Sequence, residues 1–301
     1  MDAYLKHSAL LLNHVHGETA SRSSKRLRYS MKMNIKIIPR VLFAGVLVVL
    51  LSAFQSTPPE AKRTASQSIR IYAAAALFNG RETFFNVKLI EKLEQNGFAD
   101  FLPQRDGFEF GQLKKNLAAK LPPADADAAL VNIIYFLDMG VFVAQSDVVI
   151  ANVDEPIDPG VAVEISYARL MGKTVIEIHT DVRTPYGDPG PFGGMHFFIA
   201  FQADRFIQAY MPSKSPSEAE YQLNELSKKI IATIKSVGVT HSTKLPDYVL
   251  SNPRFAGILK GAELLFSGID NIHSEEGLQK ITQRYLDNKV ELEKLAPLSV
   301  Q

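Results

Sequence analysis

The chain has 301 residues, enough for one medium domain with appendages, and its 46% hydrophobic and 22% charged content is that of a globular protein. It contains no cysteine, which excludes disulfides, thiolate metal sites and a cysteine nucleophile. The net charge of +1 is uneven: residues 1–40 carry eight Lys/Arg against Asp2 and Glu18, so the rest is mildly acidic and offers no basic stripe for nucleic acid.

Residues 1–54 read as an N-terminal leader. The run at 41–54 (VLFAGVLVVLLSAF) is uncharged and apolar, follows Lys32, Lys36 and Arg40, and is followed by Pro58 and Pro59. A basic flank, a short apolar core and a polar exit describe a signal peptide or signal anchor, short of the ~20 residues of a comfortable span. The expected location is therefore exported or membrane-anchored, with the leader contacting membrane, or cytoplasmic if the leader is not functional. Residues 55–68 (QSTPPEAKRTASQS) read as a linker.

Strand-like and helix-like segments then alternate. Residues 69–75 suit a buried strand, and 81–95 have helical spacing closed by Gly97. Residues 98–102 form a second strand candidate. A helix over 125–144 follows Pro122 and Pro123, with acidic residues at its start. Residues 147–153 (DVVIANV) are a β-branched strand, 160–171 a helix stopped by Gly172, and 174–179 (TVIEIH) a further strand. This order predicts an α/β fold, a doubly wound flavodoxin- or Rossmann-like parallel sheet with helices on both faces. Ligands then belong at the carboxyl ends of the strands. Residues 181–197, rich in Gly and Pro, read as a mobile loop, and 217–237 as an amphipathic helix. The expected domain spans 69–212, with a helical extension over 213–301.

The segment with most chemistry is DVVIANVDEPIDPGVAVEISYARLMGKT, residues 147–174. Asp158 suits a helix cap and Pro159 the first helical position. Gly160 leaves room for a ligand to approach backbone. Glu164 falls early in the helix, where the dipole favours an ionised carboxylate, and an unperturbed glutamate with a pKa of about 4.3 is charged at neutral pH. A carboxylate in a concave site can attack a sugar carbon. Taken alone, the residues point first to a plain cap at Asp158 and a solvated Glu164.

The segment resembles the nucleoside 2-deoxyribosyltransferase family, whose D-x-G-x-x-x-E pattern lies at a strand-to-helix junction. Here it is Asp158-Pro159-Gly160-Val161-Ala162-Val163-Glu164, followed by Ser166-Tyr167-Ala168 and Gly172-Lys173-Thr174-Val175. Residues 71–79 (IYAAAALFN) are similar to the family's opening strand, Phe101-Leu102-Pro103-Gln104-Arg105-Asp106-Gly107 to its second-strand exit, and Thr180-Asp181-Val182-Arg183 to its T-D-x-R. The four matches fall in order at the four ligand-facing loops.

The resemblance implies transfer of 2-deoxyribose between nucleobases, with no metal and no cofactor. Glu164 would be the covalent nucleophile, Tyr72 would orient it, and Asp138 would manage the departing base's proton. Asp158 and Gly160 would hold sugar or base, with Gln104, Arg105 and Asp106 edging the base pocket. The implied partners are nucleosides, free nucleobases and further copies of the chain in a homo-oligomer. The sequence departs from the family at Val161, where Thr is usual, at Ser166, where Gly is usual, and at Gly193–Phe198, which lacks the family's Asn; His196 would serve there as donor. The alternatives are an N-glycoside hydrolase of deoxynucleosides or their monophosphates, and a non-catalytic nucleoside-binding module. The first loop, residues 73–78, has no Ser for a phosphate, which favours an unphosphorylated sugar.

No P-loop, dinucleotide fingerprint or nucleophile elbow is present. His14 and His16 precede the apolar run and are not expected to hold metal. His179 ends a strand and is expected to pack or cap.

Overall fold

A computed structural model describes residues 68–185 and 194–296. The leader, most of the linker, His14, His16 and residues 186–193 lie outside this range. Five strands form one all-parallel sheet in the order β2-β1-β3-β4-β5: β1 Arg70–Ala74, β2 Ala99–Phe101, β3 Val148–Asn152, β4 Thr174–His179 and β5 Arg205–Gln208. The expected doubly wound α/β architecture is therefore present. β5 was not read from the sequence because its pattern is only four residues long.

The helices, in chain order, are α1 Gly80–Glu94, α2 Pro103–Asp106, α3 Phe110–Ala118, α4 Pro123–Leu137, α5 Pro159–Leu170, α6 Phe197–Ala200, α7 Pro216–Val237, α8 Asp247–Ser251, α9 Pro253–Phe266 and α10 Glu275–Leu295. Their ends follow local chemistry. Asn79 caps α1, accepting from the amides of Arg81 and Glu82. Ser215 caps α7, which has Pro216 at its first position. Glycines at positive φ follow α1 (Gly97, 87°), α5 (Gly172, 74°) and α7 (Gly238, 69°), where a side chain would be strained.

One face of the sheet packs on α1 and α7 through an aliphatic cluster that includes Ile71, Ile150, Ile176, Leu89, Leu226 and Ile230. The other face (Tyr72, Val149, Ala151, Val175) belongs to a larger cluster that runs through α4 and α5 into α9 and α10. The expected boundary at 212 thus precedes a helix that is one of the sheet's two covers on the first face. The later helices are a second layer over α4 on the other.

The helix expected over 125–144 changes character midway. Asp138–Val143 is π-helical, an extra residue in the turn that leads to β3. Residues Pro123–Val143 are apolar enough, by length and composition, to cross a membrane. Just over half of the stretch is buried, in the cluster that also holds residues of the sheet and of α9, as in a core helix of a folded protein.

Candidate active site

The loop after β3 leads to α5, and Asp158 caps it by accepting from the amides of Gly160 (2.8 Å) and Val161 (3.2 Å). Gly160 fits this cap because a Cβ there would stand 2.7 Å from Asp158 Oδ1. Val161, Ile165 and Ala168 face the core, and Glu164 borders that stripe, half-buried on the side of β1 and the π turn. Tyr72, wholly buried in β1, places its hydroxyl against the Glu164 carboxyl, outside regular hydrogen-bond geometry. Asp138, half-buried at the start of the π turn, acts electrostatically on both, as does Asp158. Phe142, one turn on, stacks on Tyr72 at 6.0 Å between ring centroids and on Phe101 at 5.2 Å. Tyr72, Asp138, Asp158 and Glu164, expected together, are brought together.

Their electrostatics differ from the expectation. Burial, followed by repulsion from Asp138, pushes Glu164 up to about 8, while the Tyr72 hydroxyl pulls the other way. Burial alone pushes Asp138 up to about 7. Tyr72 is raised well above its ordinary value by burial and then by Glu164 and Asp138. The expectation of an ionised Glu164 at neutral pH is therefore corrected: removal from water outweighs the helix dipole. Between about pH 7 and 8 the two acids together hold one proton, which rests on Glu164, the group pushed higher.

The other expected site residues are engaged elsewhere. Gln104, on α2, donates to the Thr83 carbonyl (2.8 Å) and accepts from Asn86 (3.2 Å), which ties the second loop to α1. Asp106 accepts from the Leu102 amide (2.7 Å), and Arg105 pairs with Asp106 (2.9 Å), Asp100 and Glu94 (both 2.7 Å). His196 caps α6, accepting from the Phe198 amide at 3.2 Å, and stacks on Phe197 at 4.8 Å.

The sequence reading missed several features. Asp154 joins the loops after β3 and β4, accepting from the Thr180 amide and hydroxyl, both at 2.5 Å, and from the Asp181 amide at 3.2 Å. Asp154, His179 and Asp181 have side-chain atoms within 4.8 Å of one another. Those carboxylates already accept from Thr180, Glu155 and Arg183. His179 is buried against Asp181, as its strand-end position suggested. Glu177, wholly buried in β4, has no hydrogen-bond partner for either oxygen, and burial pushes it up to about 8. The signal for it was a charged residue in the middle of an apolar strand. A groove of about 1050 Å³ lies between Phe101, the π turn, α9 and the loop before α10, and none of Tyr72, Asp138, Asp158 and Glu164 lines it.

Three acids and a tyrosine, Asp138, Asp158, Glu164 and Tyr72, thus gather near the carboxyl ends of the strands of a doubly wound α/β sheet. Residues 71–236 match the family described as "Nucleoside 2-deoxyribosyltransferase", and the chain belongs to that family. Among solved structures, it is similar to a CMP N-glycosidase of Clostridium botulinum, 20% identical over 53% of this chain and 98% of that one, with a TM-score of 0.30. It is also similar to the sugar isomerase domain of an RpiR transcription factor from Sphaerobacter thermophilus, 15% identical over 60% of this chain and 83% of that one, with a TM-score of 0.31. No curated protein matches the sequence.

Proposed function

We propose that the protein transfers 2-deoxyribose between nucleobases through a glycosyl ester on Glu164. The observation that carries this reading is the convergence of Glu164, Asp138 and Tyr72, two acids raised by burial beside one buried hydroxyl. In the productive state the pair's one proton sits on Asp138. The Tyr72 hydroxyl favours charge on Glu164, and the positive charge developing on the sugar favours it further. A Glu164 oxygen attacks C1', the C1'–N bond breaks, and its electron pair leaves with the base, which takes the Asp138 proton. In the return step a second base attacks C1', releases Glu164 and gives its proton to Asp138. The configuration at C1' is retained. Each carboxyl thus has one role, and neither step needs a cofactor.

The preferred sugar lacks a 2'-hydroxyl. Attack at C1' brings Glu164 past C2', on the side that Tyr72 crowds. A hydroxyl there would bond the carboxylate and raise the energy of a cationic sugar. A hundredfold preference corresponds to about 2.7 kcal/mol in the transition state. The test incubates full-length protein with a deoxynucleoside and a second free base, and follows the new deoxynucleoside. Base release without a new nucleoside would assign a hydrolase. Equal kcat/KM for deoxyinosine and inosine would reject the deoxyribosyl reading.

Two further parts of the proposal rest on other regions. Phe197, Phe198 and Phe201 are 48%, 64% and 63% exposed, an apolar patch that a second copy would cover in a homo-oligomer. Light scattering showing only monomer at full activity would reject this. The apolar run at residues 41–54 would carry the protein to the cell envelope. Recovery of the full-length chain free in the cytosol would reject that.

A further inference from the structure

We infer that α9 is a positioning element for the reacting groups: it fastens the helix that carries Asp138 to the helix that carries Glu164. α9 lies beyond residue 236, where the family match ends. The inference rests on the proposed reading of the site, and its geometry has three parts.

The first is a bridge. Arg254, in the first turn of α9, donates to the Tyr167 hydroxyl (3.2 Å) and the Tyr135 hydroxyl (3.4 Å), and the two hydroxyls are 3.3 Å apart. Its guanidinium also lies 6.0 Å from the centre of the Tyr135 ring. Tyr135 is three residues before Asp138, and Tyr167 three residues after Glu164. Each tyrosine is therefore one helical turn from an acid of the pair.

The second is a close approach. Gly140, inside the π turn, faces α9 so tightly that a Cβ would stand 2.6 Å from the Ala262 Cβ and 2.9 Å from the Ile258 carbonyl oxygen. One turn earlier the contact is reciprocal. A Cβ on Gly261 would stand 2.1 Å from the Phe136 ring. Two glycines thus let the helices interlock on both sides of Asp138, where the helix widens into the π turn.

The third is transmission. Phe142, in the same turn, stacks on Tyr72. A shift of the turn moves Asp138 and, through Phe142, the ring that bears the hydroxyl beside Glu164. The titratable groups around Asp138 are Tyr72 from β1 and Glu164 from α5, with Asp158 next to both. From α9 the contacts are Ile258 and Ala262, both uncharged.

Two substitutions test the clamp. Arg254→Ala removes the bridge at an exposed position, so the chain should fold. Gly140→Ala forces the helices apart. With the full chain, kcat should fall about tenfold for Arg254→Ala and about a hundredfold for Gly140→Ala, with KM within about twofold, as expected when reacting groups lose register. The second readout needs no activity: carbon NMR titration of side-chain carboxyls, with the Asp138 signal assigned through Asp138→Asn. In the wild type Asp138 should titrate near 7. As the turn loosens and water enters, its midpoint should fall towards the ordinary carboxylate range in both variants. If both fold with wild-type kcat and an unmoved midpoint, the inference is overturned. If Gly140→Ala does not fold, Arg254→Ala decides alone on the same two readouts. If the wild type transfers no sugar, the proposed function fails, and the midpoint still decides whether α9 positions Asp138.

Discussion

The two faces of the sheet solve different problems. The face towards α1 and α7 is an aliphatic cluster, with Ile71, Ile150, Ile176 and Ile178 on the strands and Leu223, Leu226, Ile230 and Ile234 on α7. The face towards α4, α5 and α9 buries Tyr72, Glu177 and His179 on the strands, with Asp138 and Glu164 on the helices above. Apolar burial on the first face stabilises the fold at no electrostatic cost. On the second face carboxyls are held away from water and shifted towards neutrality, which costs stability and, in the proposed mechanism, supplies the acid and the nucleophile. Under the proposed function, the doubly wound sheet divides support from chemistry by face.

The sharpest way to break this division is on the chemical face. Glu164→Ala should lower deoxyribosyl transfer by at least ~10³-fold while the fold persists, because the covalent route is lost. Near-wild-type turnover by a folded variant would remove Glu164 from its role. On the supporting face, Ile230→Ala should cost about 2–5 kcal/mol in denaturant unfolding and leave kcat/KM unchanged under folded conditions. A loss of kcat without a loss of stability would show that the faces are not divided.

Tyr72→Phe lies between these cases. It deletes a buried hydroxyl that lacks a regular hydrogen bond, so unfolding free energy should stay within about 1 kcal/mol. Without that hydroxyl Glu164 rises further, and activity at pH 7 should drop about tenfold, more than at pH 9. In the wild type the two raised acids predict a narrow bell in kcat/KM with limbs near pH 7 and 8. A flat profile from pH 5 to 9 would contradict single-proton sharing.

The smallest effect concerns Glu177, which has no assigned part in the reaction. Its folded value of about 8 exceeds the ordinary 4.5, so the folded state holds the proton more tightly. The resulting stability is complete below about pH 4.5 and is lost as pH rises towards 8. Glu177→Gln should therefore stabilise the protein above pH 8 by on the order of 1–3 kcal/mol, with little gain at pH 4. Urea unfolding at both pH values tests this, and equal effects at both would show that Glu177 does not titrate with folding.

Local signals made much of the fold legible. Apolar runs marked β1, β3 and β4, the cap-Pro-Gly sequence marked the start of α5, and glycines marked the ends of α1 and α5. Each depends on residues within a few positions of one another, so one sequence suffices. The pairing of Glu164 with Tyr72 and Asp138 was also available, through the resemblance of the loops at the strand ends. β5 and α6, four residues each, carry too little periodicity to be read.

What the sequence by itself determined, then, is the order of the elements, their caps and stops, and which side chains reach the carboxyl ends of the strands. What only the tertiary structure decided is the state of those side chains. A glutamate near a helix N-terminus is charged by local rules, but desolvation depends on every atom brought around it, from β1 to the π turn. The π turn itself lies within an apolar stretch that reads as continuous helix. Its shape is held where Gly140 meets Ile258 and Ala262, more than a hundred residues away in sequence. Burial and close packing are sums over distant parts of the chain, and no window of the sequence contains them.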